Sequence, residues 1–253
     1  MSGTVCGYPP DAVAPPEESH DVEVRFAALI ERYGLPPVVV HRLRLLHRLL
    51  VADPLAPTAI REPAKVLDDH LADSLVALDV TAVRGAGRLA DLGSGAGVPG
   101  LALALTLPGA SVALVESAAR KCAFLKRAAS SCEASNAYVV HARAESWPEG
   151  LGAFDLVTAR ALAPLGVVVE YAAPLLAVGG TLVGWRGRRD PEIEAAAARA
   201  AAIVGLEPKE VRQVQPYPGA QSRYLHLMSK VMKTPSGFPR RPGMALKRPL
   251  GER

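Results

Sequence analysis

Seven residues, Asp91-Leu92-Gly93-Ser94-Gly95-Ala96-Gly97, constrain the fold of this chain most. They follow a short apolar run and open a second apolar segment. Glycines at alternate positions let the backbone turn tightly and approach a ligand with no Cβ in the way. Such a loop, leaving a strand and opening a helix, points to a βαβ unit that holds a nucleotide-like cofactor. Glu116 lies 23 positions past Gly93, at the end of the next apolar run. An acid at that distance is placed to accept ribose hydroxyls.

Periodicity around the loop predicts strands at 88–92, 111–115, 137–140, 154–158 and 180–185. Helices are expected at 99–107, 118–131, 192–204 and, for the most part, 162–176. Two last strands, 211–215 and 224–229, have no helix between them and can pair antiparallel. Strands and helices alternating in this way imply a doubly wound, mostly parallel sheet in an α/β protein. Before the sheet, apolar residues at helical spacing predict helices at 22–33, from Pro36 or Pro37 to 52, and at 69–83. Pro54, Pro57 and Pro63 make the stretch between them a loop. The second helix should bury Val40, Leu43, Leu46 and Leu50 and surround them with His41, Arg42, Arg44, His47 and Arg48. The expected organisation is a disordered, acidic, Pro-rich segment (1–20), a helical extension (21–84), a Rossmann-like domain (85–230) and a basic tail (231–253).

With 253 residues, 49% of them hydrophobic, the chain can bury one large core. Cys6, Cys122 and Cys132 form no CxxC pair, which argues against a disulfide framework and for the cytoplasm. The first twenty residues hold Asp11, Glu17 and Glu18 and no Lys or Arg, unlike a secretory signal. The uncharged stretch 98–115 is cut by Pro108-Gly109, so helix, turn and strand is expected there and not a membrane span. From Lys230 onward there are seven basic residues and one acid, Glu252, so the tail is a candidate for nucleic-acid phosphates. The alternative is a solvated tail. No two histidines have a metal-site spacing.

The segment Gly95-Ala96-Gly97-Val98-Pro99-Gly100 also satisfies the dinucleotide pattern GxGxxG, so a nicotinamide dehydrogenase competes. Two details oppose it. Asp91, at the strand end, would face the cofactor crevice, repel a pyrophosphate and attract a sulfonium. The leading Gly93 extends the loop to D-x-G-x-G-x-G, which resembles motif I of the class I S-adenosylmethionine-dependent methyltransferases.

Further stretches narrow the resemblance. They are His70-Leu71-Ala72-Asp73-Ser74-Leu75, the loop through Leu101, and Val115-Glu116-Ser117 with Arg120-Lys121 and Phe124-Leu125. Arg143-Ala144-Glu145, Arg160-Ala161, Phe238-Pro239-Arg240-Arg241 and Lys247-Arg248-Pro249-Leu250 follow in order. Over about residues 22–250 the chain resembles the RsmG (GidB) family of 16S ribosomal RNA guanine-N7 methyltransferases.

That resemblance implies a class I, Rossmann-like methyltransferase with a seven-stranded sheet. It implies S-adenosylmethionine as cofactor, bound by Asp91, Gly93, Ser94, Gly95, Gly97 and Val98, with Gly93 and Val98 at its methionine part. Glu116 would hold the ribose and Ala144-Glu145 would flank the adenine. Arg160 would sit at the mouth of the site, near cofactor and target base, as the catalytic residue. The implied substrate is a guanine in the 530 loop of 16S ribosomal RNA, in naked RNA, a 30S subunit or an assembly intermediate. Loss of such an enzyme would confer low-level streptomycin resistance. A monomer is the default. RNA contacts are expected from His70, Arg120, Lys121, Arg186, Arg240, Arg241, Lys247 and Arg248. Arg186 stands where the family usually has Lys, which puts its contact in doubt.

Guanine N7 carries a lone pair and no proton, so methyl transfer to it needs alignment and no general base. His70, Asp73 and Ser74 lie too close on one helix for a hydrolase triad. Local helix hydrogen bonding and an RNA-facing rim both remain open for them. Charges on helix 118–131 can be a solvated face or phosphate contacts. The rival functions are a small-molecule or protein methyltransferase on the same scaffold, a dehydrogenase, and a non-catalytic RNA-binding protein.

Overall fold

The structure is a computed structural model and describes residues 19–252. Cys6 and all but the last two residues of the expected disordered segment lie outside the described residues. Helix α1 (His20–Tyr33) buries Val22, Phe26 and Leu29 and stops at Gly34, whose left-handed φ of 61° sets its N–H on Ile30 O. Helix α2 (Pro37–Ala52) starts on a first-turn proline and buries Val39, Leu43, Leu46, His47 and Leu50. Its buried stripe therefore includes His47, expected outside, and Val39 in place of Val40. The His47 ring sits edge-on to Phe26 with centroids 5.6 Å apart, and its Nε2 lies 2.9 Å from Pro63 O.

The single helix expected over 69–83 is a broken series that starts earlier. It comprises α3 (Pro63–Val66), a π-turn (Leu67–Ala72), α4 (Asp73–Leu75), a 3-10 turn (Val76–Asp79) and α5 (Thr81–Arg84). Pro63 begins this series and does not break it. Its missing N–H costs nothing in a first turn, and the Glu62 carboxylate accepts from Ala64 N at 2.9 Å and Lys65 N at 2.8 Å. Wider winding in the π-turn changes the angular spacing of Asp69, His70 and Asp73.

The sheet then follows as β1 (Arg88–Leu92), α6 (Gly100–Thr106), β2 (Ser111–Glu116), α7 (Ala119–Ser131), β3 (Ala137–His141) and β4 (Phe154–Arg160). Next come α8 (Leu165–Ala172), β5 (Leu176–Arg186), α9 (Pro191–Val204), β6 (Leu206–Val214), β7 (Arg223–Lys230) and α10 (Met244–Lys247). The seven strands are ordered β3-β2-β1-β4-β5-β7-β6. β7 runs antiparallel to both β5 and β6, and the other pairs are parallel. Helix α8 is shorter than the expected 162–176, because Leu176 already pairs with Phe154 as the first residue of β5. β6 begins at Leu206, earlier than expected. It tolerates Pro208 because it is an edge strand and the register shifts between Pro208 and Glu210. Among the described residues no helix is long and apolar enough to cross a membrane.

Alternation along the strands divides the core in two. Leu89, Val112, Leu114, Leu156, Val183 and Leu225 pack with the N-terminal helices, α6 and α7. Ala90, Val115, Val157, Leu182 and Met228 face α8, α9 and Ala245 of α10. The C-terminal segment folds back on that second side. Arg240 Nε donates to Glu170 on α8 at 2.6 Å, and Arg199 on α9 donates to Gly251 O at 2.7 Å.

Glu62→Ala frees two N–H groups at the start of α3. It should lower unfolding stability by about 1 kcal/mol in urea titrations; an unchanged midpoint would show that the cap does not hold this turn.

Candidate functional site

The glycine loop leaves β1 with left-handed φ values of 68° at Gly93, 52° at Gly95 and 86° at Gly97. Side chains there would be strained, which is the physical need behind the spacing. The N–H groups of Gly93 and Ser94 donate to Val115 O at 2.9 and 3.1 Å and tie the loop to β2.

Asp91 does not open onto the crevice as expected. It is wholly buried, accepting from Thr158 Oγ1 at 2.8 Å on one oxygen and from Gly100 N at 3.2 Å on the other. The pleat puts it on the Leu89 face, against the start of α6, because residues two apart share a face. Burial pushes its pKa up to about 6. A Cβ on Gly100 would sit 2.5 Å from the carboxylate, so this glycine is required for contact with Asp91. Asp91 thus braces the loop from beneath.

Glu116 is the acid that reaches the cavity. Only 6% exposed, it accepts from Gly95 N at 3.2 Å and Ala118 N at 2.9 Å, and Lys121 Nζ lies 3.9 Å away. Each carboxylate oxygen keeps a lone pair for a further donor. Gly93, Glu116, Ala144 and Glu145 line one cavity of about 280 Å³ with Lys121, Tyr171 and Leu246. Ser94, Gly95, Gly97 and Val98 are not among its lining residues. Ser94 Oγ donates to Asp91 O at 2.9 Å, and Val98 is buried in the core. A small cavity with a fixed carboxylate and a Cβ-free loop fits the adenosyl part of S-adenosylmethionine.

Arg160 ends β4 and is held by the N-terminal extension. Its Nη1 donates to Asp73 Oδ2 at 2.6 Å and Asp69 O at 2.8 Å, and Nη2 lies 3.3 Å from His70 Nδ1. Arg223 Nε on β7 is 3.3 Å from Asp73 Oδ1. Ala161 follows with φ 53°, a left-handed conformation that a non-glycine residue adopts at a cost. Leu162 then lies over Gly93, where a Cβ would meet Leu162 Cδ1 at 2.6 Å. Residues 161–163 also wall a second cavity of about 770 Å³ that Arg186, Gln221 and His226 line. Arg186 donates from Nη2 to Ala163 O at 2.7 Å.

Of the residues expected to touch RNA, Arg120, Arg241, Lys247 and Arg248 are exposed and Lys121 is half-buried. Arg240 and His70 are turned inward. Arg240 pairs with Glu170, which is 2% exposed, and His70 Nε2 lies 2.7 Å from Thr58 Oγ1. Ser74 Oγ donates to His70 O, the local helix bonding left open above. Asp69, Tyr171, Arg223 and Leu246 were not anticipated. Nothing in their local spacing sets them apart, since each acquires its place from a distant partner.

Residues 51–221 match the family GidB, rRNA small subunit methyltransferase G. A protein of Chloroflexus aggregans named Ribosomal RNA small subunit methyltransferase G is 40% identical over 197 residues, covering 76% of this chain and 82% of its own. One of the same name from Desulfitobacterium hafniense is 37% identical over 196 residues, covering 76% and 81%. A SAM-dependent methyltransferase of known structure from Aquifex aeolicus has a TM-score of 0.52 at 12% identity. That match covers 66% of this chain and 93% of the other, a likeness of fold.

Burial, and then the Arg160 charge, push the His70 pKa down to about 4 from 6.5. Stability tied to a neutral ring is therefore present above pH 6.5 and lost as pH falls toward 4. Asp91 has the opposite sign, since its raised pKa favours the folded state at low pH, but it is common to wild type and variant. Relative to His70→Gln, the wild type should lose about 2–3 kcal/mol between pH 7 and pH 4 in denaturant titrations. Parallel pH profiles would refute a buried neutral His70.

Proposed function

The chain belongs to the rRNA small subunit methyltransferase G (GidB) family, and from that premise we propose that it transfers a methyl group from S-adenosylmethionine to N7 of a guanine in 16S ribosomal RNA. The observation that carries this reading is the match over residues 51–221, which spans the glycine loop, Glu116 and Arg160. It favours a methyltransferase over a dehydrogenase on the same glycine pattern.

Bound S-adenosylmethionine supplies an electrophilic methyl group. The chain has three tasks. Glu116 accepts the ribose hydroxyls. Gly93 leaves room for the backbone to approach the methionine part. Arg160 orients the base. Three of its N–H groups are taken by Asp73, Asp69 and His70. Those on Nε and the rest of Nη2 are left to donate to guanine O6, as arginine does elsewhere. Because N7 has no proton to lose, alignment and exclusion of water account for the catalysis.

The substrate guanine is in the 530 loop, reached in a 30S subunit or an assembly intermediate by a cytoplasmic monomer. Exposed Arg120, Arg241, Lys247 and Arg248, with Lys121, contact its phosphates.

Small subunits lacking N7-methylguanosine, incubated with tritiated S-adenosylmethionine, should gain label at one guanine. Label in protein or small molecules only would overturn the reading. Arg160→Lys keeps a charge beside Asp73 but loses the planar fork. It should methylate about a hundredfold more slowly while binding S-adenosylhomocysteine as the wild type does; an unchanged rate would remove Arg160 from the site.

A further inference from the structure

The basic C-terminal segment looks from its charge like an arm for RNA, but its contacts do something else. Glu170 on α8 and Glu145 after β3 hold it. The Glu170 carboxylate, 2% exposed, takes both Nε and Nη2 of Arg240. Arg240 Nη2 also donates to Arg248 O at 2.9 Å, so the segment closes on itself as a loop. Burial, and then the nearby Glu145 carboxylate, raise the Tyr171 pKa. Glu145 Oε1 accepts from Gly243 N at 3.1 Å. Ala245 is buried against the α8 side of the sheet. That anchoring sets Leu246, 54% exposed, in the lining of the 280 Å³ cavity that Gly93 and Glu116 also line.

We propose that residues 243–246 are a wall of the cofactor site, anchored by the Glu170–Arg240 pair, and that Leu246 contacts the adenosyl side of the bound cofactor. The proposal rests on the reading above that this cavity takes S-adenosylmethionine. Leu246 supplies apolar surface and Gly243 positions the Glu145 carboxylate. Arg240 is a positioning residue that touches neither cofactor nor RNA. Arg241, Lys247 and Arg248 face outward from the same loop, so one segment serves the cofactor with its inner side and phosphates with its outer side.

S-adenosylhomocysteine binding to the full chain, by titration calorimetry, tests this. Leu246→Ala changes an exposed side chain and should leave the melting temperature in place while raising Kd about fivefold. Binding of a 16S RNA fragment should not change in that variant. Arg240→Gln should raise Kd about tenfold and lower the melting temperature, and Arg240→Lys, which retains the charge, should recover part of both. If both Leu246→Ala and Arg240→Gln bind S-adenosylhomocysteine as tightly as the wild type and lose RNA affinity, the wall is refuted and the segment is an RNA arm. If the wild type itself fails to bind S-adenosylhomocysteine, the cofactor reading and the wall fall together. If it binds but does not methylate RNA, only the function proposed above fails.

Discussion

A buried carboxylate organises the centre of this molecule. Asp91 joins β1, β4 through Thr158 and the start of α6 through Gly100. A lone acid in such a place is costly; the rise of its pKa from 3.8 to about 6 corresponds to about 3 kcal/mol against the charged form. The contact is possible only because Gly100 has no Cβ. With both ends of the loop fixed from below, Gly93, Gly95 and Gly97 can hold left-handed conformations above, and Gly95 N can reach Glu116. The Glu116 carboxylate is therefore positioned through a loop that a second, buried carboxylate braces.

A second cluster of charges is built from outside the sheet. The π-turn of the N-terminal extension carries Asp69 and His70 to the end of β4, and Asp73 follows it. Arg160 and Arg223 converge on Asp73 from two strands. Removing any one cation would leave a largely buried carboxylate short of partners, which is more damaging than the pair is stabilising. The extension is thus tied to the ends of β4 and β7 as well as to the core.

Local signals made the βαβ order, the mostly parallel sheet and the antiparallel end legible, because periods of two and of three to four residues depend on which face is buried. Many boundaries were legible to within a residue, as at Arg88, Leu92 and Gly34. Others failed, at Pro63, which starts a helix, and at Leu176, which belongs to a strand. Both cases turn on a partner, the Glu62 carboxylate in one and the Phe154 backbone in the other.

By itself the sequence determined the glycine loop, the acid 23 residues beyond it and the family resemblance, since each is a pattern of neighbours along the chain. Only the tertiary structure decided which charges are free. Arg240 and Glu170 are 70 residues apart, and Arg160 and Asp73 are 87 apart. Charge along the chain counts such residues as available cations. Packing neutralises them, because a buried ion is stabilised by a counter-ion beside it, and that pairing is set by the fold.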